Sequence, residues 1–202
     1  MRDYEKVEGM TFRVSSLVYS KEVAIMNIGG SATDCASDHA GYCVHSDICY
    51  AARPEKIWGK VLQFRRRQGH AWRRVDAKIF ANALTWLYNR GAKHFRFNES
   101  GDFWSQRDVD KLNEVSDLTP MNIFGYSANP FLNFVGCKFN VKISQAFKVP
   151  GTTGRAIAIP KGTAVPKGFL LCPKTSGKIQ KCTDGCQVCF GSKKIDVCFY
   201  EH

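Results

Sequence analysis

The stretch His94–Trp104, HFRFNESGDFW, decides the fold. Phe95 and Phe97 alternate with His94 and Arg96, the period-two pattern of a strand with one buried face. That strand runs straight into Glu99-Ser100-Gly101-Asp102. Ser105 then stands where a helix N-cap belongs, with Asp108 three residues on, close to a capping box. A helix is expected from about Gln106 to Leu118.

Working outward, the same strand-then-helix order recurs. Upstream lie two strand-like runs, FRVSSLVY from Phe12 and EVAIMNI to Ile28. The second is almost continuously apolar, as for a strand covered on both faces. Pro54 suits the first turn of a helix, and Ile57, Val61 and Phe64 give it one face, with Gly69 as its interruption. A second helix is expected from about Val75 to Arg90, with Phe80, Leu84 and Leu87 on one side and Gly91 closing it. Downstream come NIFGYS, ending in Ser127-Ala128-Asn129-Pro130, then KFNVKIS and AIAIP.

Strands alternating with helices imply an α/β fold with a parallel sheet. The 202 residues suffice for one core but hold too few units for a closed eight-fold barrel. The expected fold is a partial, open β/α TIM-like barrel over residues 1–160. A Cys-rich C-terminal tail, residues 161–202, would pack on it within a single domain.

Ligands of such folds sit where strands end and loops begin. Glu99 and Asp102 follow the HFRF strand, as an acid–base pair or as ligands for a cationic group. Helix capping or pairing with Arg96 or Arg107 would explain them equally. Ser100, Ser127, Asn129 and Ser144, with Gln145, fall at the same ends and are candidate substrate contacts.

Nine cysteines form two groups and a remainder. Cys172, Cys182, Cys186 and Cys189 lie in the tail, the last three spaced C-x3-C-x2-C. Cys35, Cys43 and Cys49 lie in the loop after the EVAIMNI strand, beside His39 and His45. Cys137 and Cys198 read as packing residues. Thiolates this close together suit a metal centre, and the tail spacing favours a [4Fe–4S] cluster over zinc. Lys174, Lys178, Lys181, Lys193 and Lys194 would offset its negative charge.

The net charge is +11, and from Arg53 to Arg74 eight Lys or Arg residues face one acid, Glu55. Such a stretch attracts nucleic acid or another acidic partner, or forms a solvated helix face. No apolar run is long enough to span a membrane. The opening MRDYEKVEGM lacks the apolar core of a secretory signal, so a reducing compartment is expected.

The series C-x7-C-x5-CYA, FRFNESGDF, YSANP, GCKFNVKIS and a cysteine tail ending in F-x-x-H at His202 resembles the bacteriophage family named after gene product 88. That family in turn looks like a reduced relative of radical S-adenosylmethionine enzymes. The resemblance implies a partial barrel in which Cys35, Cys43 and Cys49 hold a [4Fe–4S] cluster open to S-adenosylmethionine. Tyr50 would be its nearby aromatic, and the ESGD segment would lie near the cosubstrate. The loop spacing is wider than the C-x3-C-x2-C usual there, and that compact spacing falls in the tail instead. One cluster or two, and a ligand set mixing loop and tail, stay open. The implied role is redox or radical chemistry in the cytoplasm of an infected host. The alternative is a zinc-stabilised nucleic-acid-binding or assembly protein.

Overall fold

The computed structural model describes residues 4–14, 19–31, 34–191 and 194–201. Lys193, His202 and the middle of the run that begins at Phe12, residues 15–18, lie outside them. The main sheet takes its strands in chain order: β1 (Tyr4–Val7), β2 (Met10–Arg13), β3 (Val23–Met26), β4 (His94–Phe97), β5 (Asn122–Ser127) and β6 (Asn140–Ile143). β1, β2 and β3 pair antiparallel, whereas β3 to β6 pair parallel. β1 and β6 are its edges, so the sheet is open. The result is a mixed α/β fold with an open sheet that does not close on itself among the described residues.

The helices are α1 (Ala36–His39), α2 (Ala52–Ile57), α3 (Lys60–Arg74), α4 (Ala77–Asn89) and α5 (Gln106–Leu118). Phe95 and Phe97 of β4, with Ala24, Met26, Ile123 and Val141, pack against Trp72, Phe80, Leu84 and Leu112 of the helices. Aromatic rings dominate this layer. Trp72 meets Phe80 and Phe97 edge-on at 5.0 and 4.8 Å between centroids, a geometry that contributes about 0.5–1.5 kcal/mol per pair beyond area.

The tail forms a second, parallel sheet in the order β7 (Ala156–Ile159), β9 (Asp196–Tyr200), β8 (Phe169–Leu171). A single parallel bridge from Ile143 to Arg155 connects the two sheets. Thus AIAIP is a strand, but of the other sheet. Between β8 and β9, Phe190 reaches the main sheet's second face, joining Tyr19, Val23, Ile25 and Phe124.

Two local expectations change. The helical run breaks at Trp58-Gly59, not at Gly69. Ser105 occupies the N-cap of α5 without a side-chain bond. Asp108 instead accepts from the backbone of Trp104 and from the Trp72 indole, each at 2.8 Å. That bond satisfies a buried indole N–H, which explains the acid's position.

Gly69 sits inside α3 because the helix crosses β3's end there. A Cβ at Gly69 would lie 2.5 Å from the Ile28 carbonyl oxygen, part of a backbone that cannot swing away. In an open helix, Gly→Ala stabilises by about 0.8–1 kcal/mol. Here Gly69→Ala should instead destabilise by about 1–3 kcal/mol, read from urea unfolding. A more stable variant would show that the contact relaxes freely.

Candidate functional site

The polar residues after β3, β4 and β5 do converge. Gly101 holds φ +80, and a Cβ there would be 2.7 Å from Gly29 N, so the loops after β3 and β4 cross with backbones in contact. Ser100 donates its backbone N–H to Asn27 Oδ1 at 2.8 Å and lies 2.8 Å from the Gly29 carbonyl through its hydroxyl. Asn27 Nδ2 in turn donates to Gln68 on α3 at 2.9 Å.

Asp102 is buried at the centre of these contacts. One oxygen accepts from Ser37 Oγ and from the Ala128 N–H, both at 2.6 Å; the other accepts from the Phe103 N–H at 2.7 Å. The carboxyl therefore ties α1, the loop after β4 and the end of β5 together. Burial raises its pKa, and the bonds from Ser37, Ala128 and Phe103 oppose that shift. Ser127 Oγ accepts from the Asn129 N–H at 3.2 Å, and Asn129 Oδ1 accepts from the Phe131 N–H at 3.0 Å. The Ser144 N–H donates to the Ser127 carbonyl at 2.7 Å, and Gln145 Nε2 donates to the Tyr42 carbonyl at 2.8 Å. Glu99 is ion-paired with Arg13 of β2.

The helix-free face of the sheet carries residues that strand patterning alone did not single out. Arg96 of β4 lies with its guanidinium carbon 5.6 and 5.3 Å from the ring centroids of Tyr19 and Tyr126. It donates to the Tyr19 hydroxyl at 3.2 Å and to the Tyr50 hydroxyl at 3.1 Å. Tyr50 donates to the Glu99 carbonyl. Lys142 of β6 is wholly buried, donates to the carbonyls of Thr153 and Ile195, and has its pKa lowered by burial. The available signal was alternation: HFRF places Arg96, and NVKI places Lys142, away from the phenylalanine layer.

The thiols correct the metal reading. Among the described residues no group of three or more His, Cys, Asp or Glu side chains could hold a metal ion. Cys182 and Cys189 pack against the Tyr19–Phe190 layer, whereas Cys172 packs with Ala156 and Val197 of the second sheet. Burial raises the pKa of Cys189, and the Tyr126 side chain opposes that rise. Burial raises the pKa of Cys182, Cys35 and Cys43, and neighbouring thiols add to it: Cys172, Cys189 and Cys186 for Cys182, Cys43 for Cys35, and Cys49 for Cys43. They are neighbours without being a ligand set. His39 is exposed, and the half-buried His45 joins no such set. The [4Fe–4S] cluster, the S-adenosylmethionine that depended on it, the redox or radical role and the zinc alternative are all overturned by this arrangement. No disulfide links the nine cysteines, all of which are free.

The basic stretch divides by use. Arg65 is buried, paired with Glu55 at 2.5 Å and bonded to the Ala51 carbonyl at 2.7 Å. Arg66 pairs with Asp34 at 2.5 Å. Arg67, His70 and Arg74 instead line an open groove of about 470 Å³ with Ala71, Val75 and the β1–β2 turn at Glu8-Gly9. Lys60 and Arg73 are exposed on the same helix. Among the described residues, none of Lys60, Arg67, Arg73 and Arg74 forms an ion pair.

The family described as Gene product 88 matches residues 8–126, more than half of the chain. No curated protein and no solved structure matches it. Among the described residues, no helix is long and apolar enough to cross a membrane.

Two outcomes follow from the site's electrostatics. Asp102→Asn places an amide N–H₂ or loses an acceptor where three donors point, and should destabilise by about 1–3 kcal/mol in urea. Its pH dependence has a definite sign. A carboxyl raised above its unfolded value of about 4 holds its proton longer when folded, so its penalty grows as pH climbs through that window. The deficit of Asp102→Asn should therefore shrink as pH rises from 4 to 7, and a growing deficit would contradict the buried-acid description. Separately, burial pushes the thiols of Cys35 and Cys182 up to about 12, the first aided by Asp102 and the second by Cys172. Both should alkylate about a hundredfold slower in the native protein than in urea, as followed by peptide mass spectrometry.

Proposed function

The chain belongs to the Gene product 88 family, and from the unpaired basic face of α3, which lies inside the matched region, we propose that it binds nucleic acid through phosphate contacts. The observation that carries this reading is the separation of roles along one helix. Arg65 and Arg66 spend their charge on Glu55 and Asp34. Arg67 and Arg74 present theirs, beside His70, to a groove with one acid in its lining, Glu8.

Spacing supports the same reading. Positions 67, 70, 71 and 74 recur at three and four residues, so they share one stripe of the helix. Ala71 in the middle keeps the floor of that stripe low. Cations held on a rigid helix lose little freedom on meeting a phosphate backbone. The contacts favour backbone over base, because a charge stripe carries no pattern of donors and acceptors that would read a base edge. Binding is thus expected to be insensitive to sequence and steep in salt. Asp102 and Glu99 enter as the groups that fix the neighbouring loops, through Ser37 and Ala128 and through Arg13.

Fluorescence anisotropy with labelled single-stranded and duplex oligonucleotides tests this directly. With about three phosphate contacts, log K should fall against log salt with a slope of about −2 to −3. Arg67→Glu and Arg74→Glu should each weaken binding about tenfold at low salt, and neutralising either should flatten the slope by about one. Arg66→Gln, whose charge is already matched by Asp34, should change binding little, and Glu8→Gln should tighten it. Absence of binding at low salt, or a flat salt dependence, would refute the proposal.

A further inference from the structure

The face of the main sheet opposite the phenylalanine layer holds two half-buried arginines and one carboxylate. The ladder pairs Arg13 with Ile25 and Ile25 with Arg96. Directly paired residues project to the same side of a sheet, so both guanidinium groups rise from one face with Ile25 between them. A single carboxylate, Glu99, meets this pair, and it is bound to Arg13. Arg96 has phenolic oxygens at two of its nitrogens and two tyrosine rings beside it, but no ion pair among the described residues. The Nε atoms of Arg13 and Arg96 are both buried and lack a hydrogen-bond partner among the described residues.

A half-buried guanidinium whose Nε is sealed from water, with no anion on it, is unfavourable, because that part of the charge has left water without meeting a counter-charge. Phenols and rings relieve only part of that deficit. The planar N–H fork of arginine matches two oxygens of a carboxylate or phosphate. The cover over Arg96 is also openable. Tyr50, which hydrogen-bonds Arg96 and the Glu99 carbonyl, comes from the loop before α2 and is 49 % exposed.

We propose that this face is a binding site for a small molecule bearing an oxyanion, a carboxylate or a phosphate, held by Arg96 and Arg13 beneath Tyr50. The site is separate from the α3 groove and does not rest on nucleic-acid binding. Glu99 sets its selectivity: by occupying one edge of Arg13 it leaves room for one anionic group and repels a second. Tyr19 and Tyr126, flanking Arg96, favour a ligand with an apolar body behind the anion over a bare ion.

The test uses the whole chain, with thermal unfolding and calorimetric titration against phenyl phosphate and against phenylacetate, each compared with sodium chloride at matched ionic strength. A saturable rise in melting temperature with at least one of the two is expected, and the responding anion identifies which oxyanion the site takes. Arg96→Met should abolish the response while keeping the parent circular dichroism. If that variant does not fold, Arg13→Gln decides, with an expected loss of affinity of about tenfold. Arg67→Glu/Arg74→Glu, which removes the α3 stripe, should leave the response intact. The proposal is overturned by no saturable response to either anion, by an unchanged response in the folded Arg96→Met or Arg13→Gln protein, or by loss of the response in the α3 variant.

Discussion

The two-residue alternation of β4 is the constraint on which the other features rest. β4 lies between β3 and β5, and its four residues point in turn to the two faces of the sheet. Phe95 and Phe97 enter the aromatic layer with Trp72, Phe80 and Phe103. Between them Arg96 faces the tail, among Tyr19, Tyr50 and Tyr126. A shift of one residue would exchange the faces, burying a guanidinium among phenylalanines and turning two phenylalanines toward the tail. The large energetic gap between these registers fixes the chain, and it places the positive charge in the same step. Core and site are therefore one decision made twice per strand.

Polar side chains extend the sheet beyond its backbone ladder. Asn98 adopts φ +55, a left-handed conformation that asparagine tolerates better than most residues. Its amide accepts from the Tyr126 N–H at 3.1 Å and donates to the Tyr126 carbonyl. The side chain thus replaces the next pair of backbone groups after β4 turns away. Gly125 makes this possible, since a Cβ there would come within 2.7 Å of both the Phe97 carbonyl oxygen and Asn98 Oδ1. Asp102 and Ser100 perform the same service for the adjoining loops. The strand ends are consequently rigid, and the residues that make them so are the ones whose chemistry looks catalytic in a linear reading.

That difference marks where sequence was sufficient. Helices α4 and α5 and strands β4 and β6 were legible because their apolar residues recur at the period of the element, and β5 because it is a short apolar run between Pro120 and Pro130. That the loops carrying Ser100 and Asp102 meet those after β3 and β5 also followed from element order. Gly69 misled because a glycine in a helical run has two meanings, a break or a close crossing, and only the Ile28 carbonyl distinguishes them. The thiols misled for a related reason. Spacing shows that Cys182, Cys186 and Cys189 are near in the chain, but not which layer each side chain joins. Cys172 belongs to the second sheet's packing, while Cys182 and Cys189 belong to the main sheet's. The pairing of β7 with β9 across nearly forty residues had no local signal at all, since contact between distant strands is selected by packing rather than by pattern.

Net charge acquires meaning only after the internally used cations are removed. Arg65 and Arg66 are neutralised by acids of neighbouring segments, Arg155 is clamped by Asp196 at 2.7 Å, and Lys142 is held by two carbonyls. These fix parts of the fold and present little to a partner. What remains falls into two environments with opposite physics. The α3 stripe is exposed, so its attraction reaches through solvent and weakens steeply with salt. Arg96 is flanked by Tyr19, Tyr50 and Tyr126 and Arg13 is held by Glu99, so an anion meeting them would be screened less but would have to shed its water first. The first environment favours long polyanions that exchange one set of counterions for another. The second favours a single well-shaped anionic group, and the same protein has room for both because the sheet keeps them on different sides.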